Sequence, residues 1–365
     1  MIISEVTNYL ESIAPLAYQE SYDNAGLLVG HPSDEVDRAL ITLDVTEAVI
    51  DEAVTTGAGL IIAHHPLIFN GIKKLNGFSD TERCIIKAIK NNIAVYAAHT
   101  NLDSVTGGVN SKICEKLGLV NCHMLSPVKG QLKKLVTFVP KGHLDQVQQA
   151  VFNAGAGHIG NYDSCGYSLD GTGSFRGNEN SKPYVGSKGQ VHHEAETRFE
   201  TIFPSPIQAK VIESLLKAHP YEEVAYDIYS LDNDFPLAGI GMIGELEQPM
   251  HETEFLRQAK NIFHAEAIRH SPLLNKPVQK IAVCGGSGSF LIRQAISAGA
   301  EVFMTSDLKY HQFFEAETKI LLADIGHFES EQFTGEVFYE LLTKKFPTFA
   351  LRLSAVKTNP INYLI

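Results

Sequence analysis

His64 and His65 close an apolar run, Gly59-Leu60-Ile61-Ile62-Ala63. A buried strand that ends in two imidazoles is poor packing and good metal chemistry. Strand ends project side chains from the carboxyl edge of a sheet, where open α/β folds build their sites. Neutral imidazole is a ligand for zinc and also suits iron, copper and nickel. Successive residues on an extended strand point to opposite faces, so the pair is expected to reach two different ions unless the chain turns. Two further segments offer His with a carboxylate: His99 with Asp103, and His327 with Glu331. The last pair is spaced i, i+4, which puts both groups on one face of a helix starting near His327, and Gly326 suits the sharp entry. His64, His65, Asp103, His327 and Glu331 are too many for one zinc, which prefers four ligands. They suit two divalent ions with a bridging carboxylate and room for water.

Other residues fall near the same cleft. His99 and Asp307 are candidate proton-transfer groups, and Asp44 and His311 are candidates to orient ligands or contact substrate. Gly286 and Ser287 belong to Gly285-Gly286-Ser287-Gly288-Ser289, a glycine-rich segment between a strand and a helix. Such a segment resembles a phosphate cradle, but it lacks the lysine of a P-loop and does not match G-x-G-x-x-G. A tight turn beside the cleft is the better reading. His192-His193, in a polar stretch, and His219-Pro220-Tyr221-Glu222-Glu223 read as surface or turn residues before they read as metal sites.

The elements that must position these groups alternate between strand and helix. Residues 2–13 read as an opening amphipathic helix. Strands are expected at 39–43, 60–63 and 93–97, with helices at 46–56, 81–91 and 109–117. Thr46 is a plausible N-cap and Gly57 a stop. The theme returns at 280–284, 290–298, 301–304 and 320–324. Laying Gly57-Ala58 on Gly299-Ala300 puts His64 and His65 on Ser306 and Asp307, a weak internal repeat. Alternation of this kind favours a mainly parallel sheet with helices on its faces. The middle differs: a strand at 135–139, a helix at 144–154, a glycine-rich stretch at 166–189, a strand near 197–202, a helix at 207–217 and a strand at 225–229. This is the β-α-β-β-α-β order of a ferredoxin-like fold. The expected organisation is a metal-binding α/β domain from residues 1–126 and 235–365, with an inserted α+β domain at 127–234.

The chain has 365 residues and a net charge of −12. The acidity speaks against a general nucleic-acid binder, whose phosphate contacts need clustered Lys and Arg. No run of about 18 apolar residues predicts a membrane span. Residues 1–10 do not read as a signal peptide, and the five scattered cysteines read as reduced thiols. A cytoplasmic protein is expected.

Five motifs in order, Asp23-Asn24-Ala25-Gly26-Leu27, His64-His65-Pro66, His99-Thr100-Asn101-Leu102-Asp103, Cys284-Gly285-Gly286-Ser287-Gly288 and Gly326-His327-Phe328-Glu329-Ser330-Glu331, resemble the GTP cyclohydrolase 1 type 2 homologues. This is the NGG-one-interacting-factor-three-like family. Gly171-Thr172-Gly173-Ser174-Phe175 and 219–226 resemble the PII-like or CutA-like insert of its longer bacterial members. The resemblance implies a dinuclear centre held by His64, His65, Asp103, His327 and Glu331, with Glu331 bridging. It also implies a toroidal homohexamer. Its name implies GTP cyclohydrolase activity. Zn2+ is the expected ion, with Fe, Mn, Co or Ni as alternatives. The function expected is a metal-dependent hydrolase acting on a nucleotide or phosphoester. The alternative is a non-enzymatic metal-binding regulatory assembly whose insert senses a small molecule.

Overall fold

The computed structural model of the chain describes residues 1–364. The chain divides into two compact units: Met1–Pro127 together with the segment from Pro236 onward, and Val128–Phe235.

The first unit contains a five-stranded and a six-stranded sheet. Three parallel strands lie at the heart of each. In one these are Arg38–Thr42, Leu60–Ala63 and Ala94–Ala97; in the other, Pro277–Ser287, Val302–Ser306 and Leu321–Asp324. An antiparallel strand flanks the third member of each trio, Gly26–Val29 in the first and Arg269–His270 in the second. Alternate residues face opposite layers, as the two-residue period of a strand requires. Ile41, Ile62 and Tyr96 join Ile281, Val283 and Met304 in one large core with the helices Ile3–Ile13, Val109–Leu117, Glu252–Ile262 and Thr334–Lys345. Leu40, Ile61 and Val95 pack outward on Glu47–Thr56 and Asp80–Lys90. Ala282, Phe303 and Leu322 pack outward on the short helix Ile292–Ser297. Both faces of each sheet are covered, which is why these strands read as nearly unbroken apolar runs.

Local signals explain the element ends. Thr46 caps Glu47–Thr56 through a bond from the Val49 N–H, and Gly57 stops it in the left-handed region at φ +69°. Gly299 follows the other sheet's crossover helix at φ +75°. The helix expected at 290–298 is shorter: Ser289–Leu291 forms a 3-10 turn, and α-helix begins only at Ile292. The expected loop at 285–289 is also revised. Pro277–Ser287 remains strand through Ser287, with a register shift after Val283 and Gly286 at φ +60°.

The second unit follows the order strand Leu132–Pro140, helix Leu144–Asn153, strands Gly166–Phe175 and His192–Pro204, helix Gln208–Ala218, strand Tyr226–Ser230. Its antiparallel sheet places Gly166–Phe175, His192–Pro204, Leu132–Pro140 and Tyr226–Ser230 side by side in that order. Leu135, Val139, Phe199 and Phe203 pack on Val147, Val151, Val211 and Leu215 of the two helices. The glycine-rich stretch therefore contains a full strand. Its residues are almost all exposed, so it lacks the apolar alternation that would have marked it.

Candidate metal centre

Each half of the first unit ends its third parallel strand in the same way. Ala94–Ala97 runs into His99 and the single helical turn Thr100–Asp103, and Leu321–Asp324 runs into the turn His327–Glu331. Both turns carry a histidine and an acid four residues apart. The middle strand Leu60–Ala63 stops one residue before His64. There the chain turns, with the N–H groups of His64 and His65 both donating to the Leu43 carbonyl. The alternation expected of an extended strand therefore ends before the pair, and the two imidazoles lie with ring centres 4.9 Å apart.

Glu331 is the hub. Its Oε1 lies 3.8 Å from His64 Nε2, which is itself 3.6 Å from Asp103 Oδ1. Its Oε2 lies 3.0 Å from His65 Nε2 and 3.1 Å from His327 Nε2. Three sets of side chains bring their ligand atoms within 4.8 Å of one another: His64, Asp103 and Glu331; His65, His327 and Glu331; and His64, His65 and His99. His64 Nε2 and Asp103 Oδ1 are buried with no hydrogen-bond partner. Buried polar atoms are almost always satisfied, so two orphans in one cluster call for an explanation. A bound cation supplies one, and these His/Glu groups can hold a metal.

The outer nitrogen of every imidazole is tied down. His64 Nδ1 meets the Ala98 carbonyl at 2.9 Å, His65 Nδ1 meets Asp44 at 2.7 Å, His99 Nδ1 meets Asp23 at 2.8 Å and His327 Nδ1 meets Asp307 at 2.7 Å. An Nδ1–H donated outward turns Nε2 toward the cluster, the arrangement that orients histidines for metal binding. Asp44 is fixed in turn by Thr358, and Asp23 by the Thr100 hydroxyl and N–H.

Charge follows the same geometry. Burial opposes ionisation of Glu331, but His327, His64 and His65 outweigh it and hold the carboxyl well below its ordinary range. Burial and the Glu331 charge push Asp103 well above it. Burial keeps His64 low. Burial also opposes a charge on His65 and His327, yet their carboxylate partners prevail and raise them to about 9 and about 11. Asp23 is desolvated, but His99 and Thr100 bring it down to about 2.

Glycine makes room for the hub. A Cβ at Gly286 would lie 2.3 Å from Glu331 Oε1. The amides around it are already engaged: Gly285 N–H donates to Asn110, Gly286 N–H to Ser330 and Gly288 N–H to Thr305. The segment is thus not a free phosphate cradle. Ser287 is exposed and pairs with Ser306 in the ladder. His311 meets Tyr310 edge-on and Phe314 at a tilt, and no contact joins it to the cluster among the described residues. His219 is not a ligand either: Nε2–H donates to the Phe138 carbonyl and Nδ1 accepts from the Tyr221 N–H. His192 pairs with Glu194. Asp23, which holds His99 beside the cluster, is a residue that reasoning from the sequence did not place in the site. It sits in the Asp23-Asn24-Ala25-Gly26-Leu27 motif, far along the chain from its partner His99.

Residues 1–360 match Duf34/NIF3 (NGG1p interacting factor 3). The chain belongs to this family. The GTP cyclohydrolase 1 type 2 homolog of Halalkalibacterium halodurans is 39% identical over 364 residues, 98% of each chain. That of Bacillus subtilis is 38% identical over 366 residues, 99% of this chain and 98% of its own. A crystal structure of a Bacillus cereus protein related to NIF3 has a TM-score of 0.87 and 40% identity, covering 100% of this chain and 99% of its own. The family assignment agrees with the motifs at the strand ends. Among the described residues no helix is long and apolar enough to cross a membrane.

Proposed function

We propose that this family member is a dinuclear metal-dependent hydrolase acting on a nucleotide or phosphoester. The observation that carries the reading is a pair of orphaned buried ligand atoms, His64 Nε2 and Asp103 Oδ1, beside the Glu331 carboxylate, each of whose oxygens faces a different group of ligands. His64 and Asp103 would hold one ion, His65 and His327 the other, with Glu331 shared between them. Two divalent ions supply Lewis acidity and bring the ionisation of water toward neutral pH. The chain's own contribution is orientation and proton handling. Asp44 and Asp307 keep the Nε2 atoms of His65 and His327 turned inward. His99, fixed by Asp23 and only partly buried, lies beside the His64 and His65 rings and would carry a proton. GTP ring opening is the candidate that the relatives' names offer.

The β-α-β-β-α-β order and the sheet order of Val128–Phe235 support reading that unit as an inserted ferredoxin-like domain of the PII/CutA kind. A toroidal homohexamer is the assembly the resemblance supports, and light scattering of the purified protein tests it. Elemental analysis and anomalous diffraction of protein purified without chelator, followed by turnover assays on nucleotides and phosphoesters, test the central reading. Two ions per chain at these ligands with hydrolysis is the expected outcome. Full metal content with no turnover on any substrate would remove the hydrolase and leave a metal-binding protein.

A further inference from the structure

A second cavity lies wholly within Val128–Phe235, with a volume of about 660 Å³. Ladder partners share a face, so Phe138, Leu169 and Arg198 lie together on one side of the sheet, along with Glu196 two residues away. Leu135, Val139 and Phe199 point the other way, onto the helices. The cavity therefore opens on the helix-free face. Its walls include Phe138, Phe175, Tyr184 and Tyr221. The Tyr221 ring lies 6.1 Å from both Phe175 and Tyr184. His219 pins two of these walls by bonding the Phe138 carbonyl and the Tyr221 N–H.

Glu196 stands among these rings, only 7% exposed. Its Oε1 accepts from the Tyr221 hydroxyl at 2.8 Å. Its Oε2 receives no hydrogen bond, and no cation lies within ion-pair distance among the described residues. Arg198, two residues on, is turned to Glu200 instead. Gly173 leaves space for the carboxylate, since a Cβ there would sit 2.0 Å from Oε2. A buried carboxylate without a compensating charge is costly, and aromatic faces attract cations. Phenylalanine and tyrosine rings around a free carboxylate oxygen thus form a receptor for positive charge on an organic body.

We propose that this cavity binds a small organic cation bearing a primary ammonium group. The ammonium donates to Glu196 Oε2, and the alkyl or aryl body packs on Phe138, Phe175, Tyr184 and Tyr221. The cavity's lining residues all belong to Val128–Phe235, and none is among the candidate metal ligands. Calorimetry of the full-length protein with phenethylamine, agmatine and spermidine tests it, with 2-phenylethanol as the neutral counterpart of phenethylamine. At least one amine should bind, and phenethylamine should bind about tenfold or more tighter than the alcohol. Glu196→Gln should weaken the amine by about tenfold or more, the cost of losing one partner of a desolvated charge pair, while metal content stays unchanged. Phe175→Ala, at a strand end, should weaken it by about threefold and serves if the glutamine variant does not fold. No amine binding at about 10 mM, equal affinity for the alcohol, or an amine affinity indifferent to both variants would overturn the proposal.

Discussion

Glu331 and Glu196 are both buried carboxylates, and their surroundings differ. Glu331 is ringed by three imidazoles, each braced from behind by a carboxylate or a carbonyl. Glu196 has one neutral tyrosine and a set of rings. The first carries its charge balance within the protein, and a bound metal would take the place of the histidine protons. The second leaves its balance to whatever enters. A buried acid surrounded by titratable bases favours inorganic cations that take nitrogen lone pairs. A buried acid surrounded by aromatic faces favours an organic one.

The largest expected effect comes from exchanging the two acids for amides. Glu331→Gln should lower metal affinity by more than about a hundredfold, while Glu196→Gln should leave it untouched. Metal analysis after dialysis against a graded chelator separates the two. Comparable losses in both variants would erase the distinction between the sites. Next come the braces: Asp44→Asn and Asp307→Asn should each cost about 10- to 100-fold in metal affinity by loosening His65 or His327. A result within error of wild type would show that these histidines are held by packing alone.

A pH series sharpens the comparison further. His65 and His327 are raised to about 9 and about 11 in the cation-free site. Both hold their protons at neutral pH and must release them to bind metal. Metal affinity should therefore rise with pH, by about tenfold or more per unit between about 6 and 8. Calorimetry in buffers of different ionisation enthalpy counts the protons released, and a count of zero would contradict the balance described for Glu331. The smallest effect belongs to the other unit. Burial lowers the pKa of His219, so the folded state binds fewer protons there than the unfolded one. Its stabilising contribution is complete above the ordinary histidine value of about 6.5 and falls as the pH drops below it. His219→Phe should cost about 1–3 kcal/mol by orphaning the Phe138 carbonyl and the Tyr221 N–H, and should flatten that acid dependence. Hydrogen exchange across residues 128–235 is the readout.

The strand-end histidines were legible because an apolar run gives a strand away and polar residues at its end stand out. The His327 and Glu331 spacing was legible because four residues is one helical turn. Asp23 was not, since nothing local marks a loop aspartate as the brace of a histidine 76 residues later. The strand Gly166–Phe175 was hidden by its glycines and its open face. The segment 285–289 misled in the other direction: its glycines suggest a loop, yet they serve close packing, with Gly286 leaving space for Glu331. The aromatic cavity was invisible because its walls come from separate strands and turns, none of them unusual alone.

His65 and His327, whose Nε2 atoms lie 3.4 Å apart, are separated by 262 positions in the chain. At a translation rate of about 5–20 residues per second, the ribosome takes roughly 10–50 s to go from one to the other. A nascent polypeptide thus has its first imidazoles in hand long before the glutamate that unites them exists. An ion shared through Glu331 would load only after that residue is made, and a product ended before it would carry the earlier histidines without their common carboxylate.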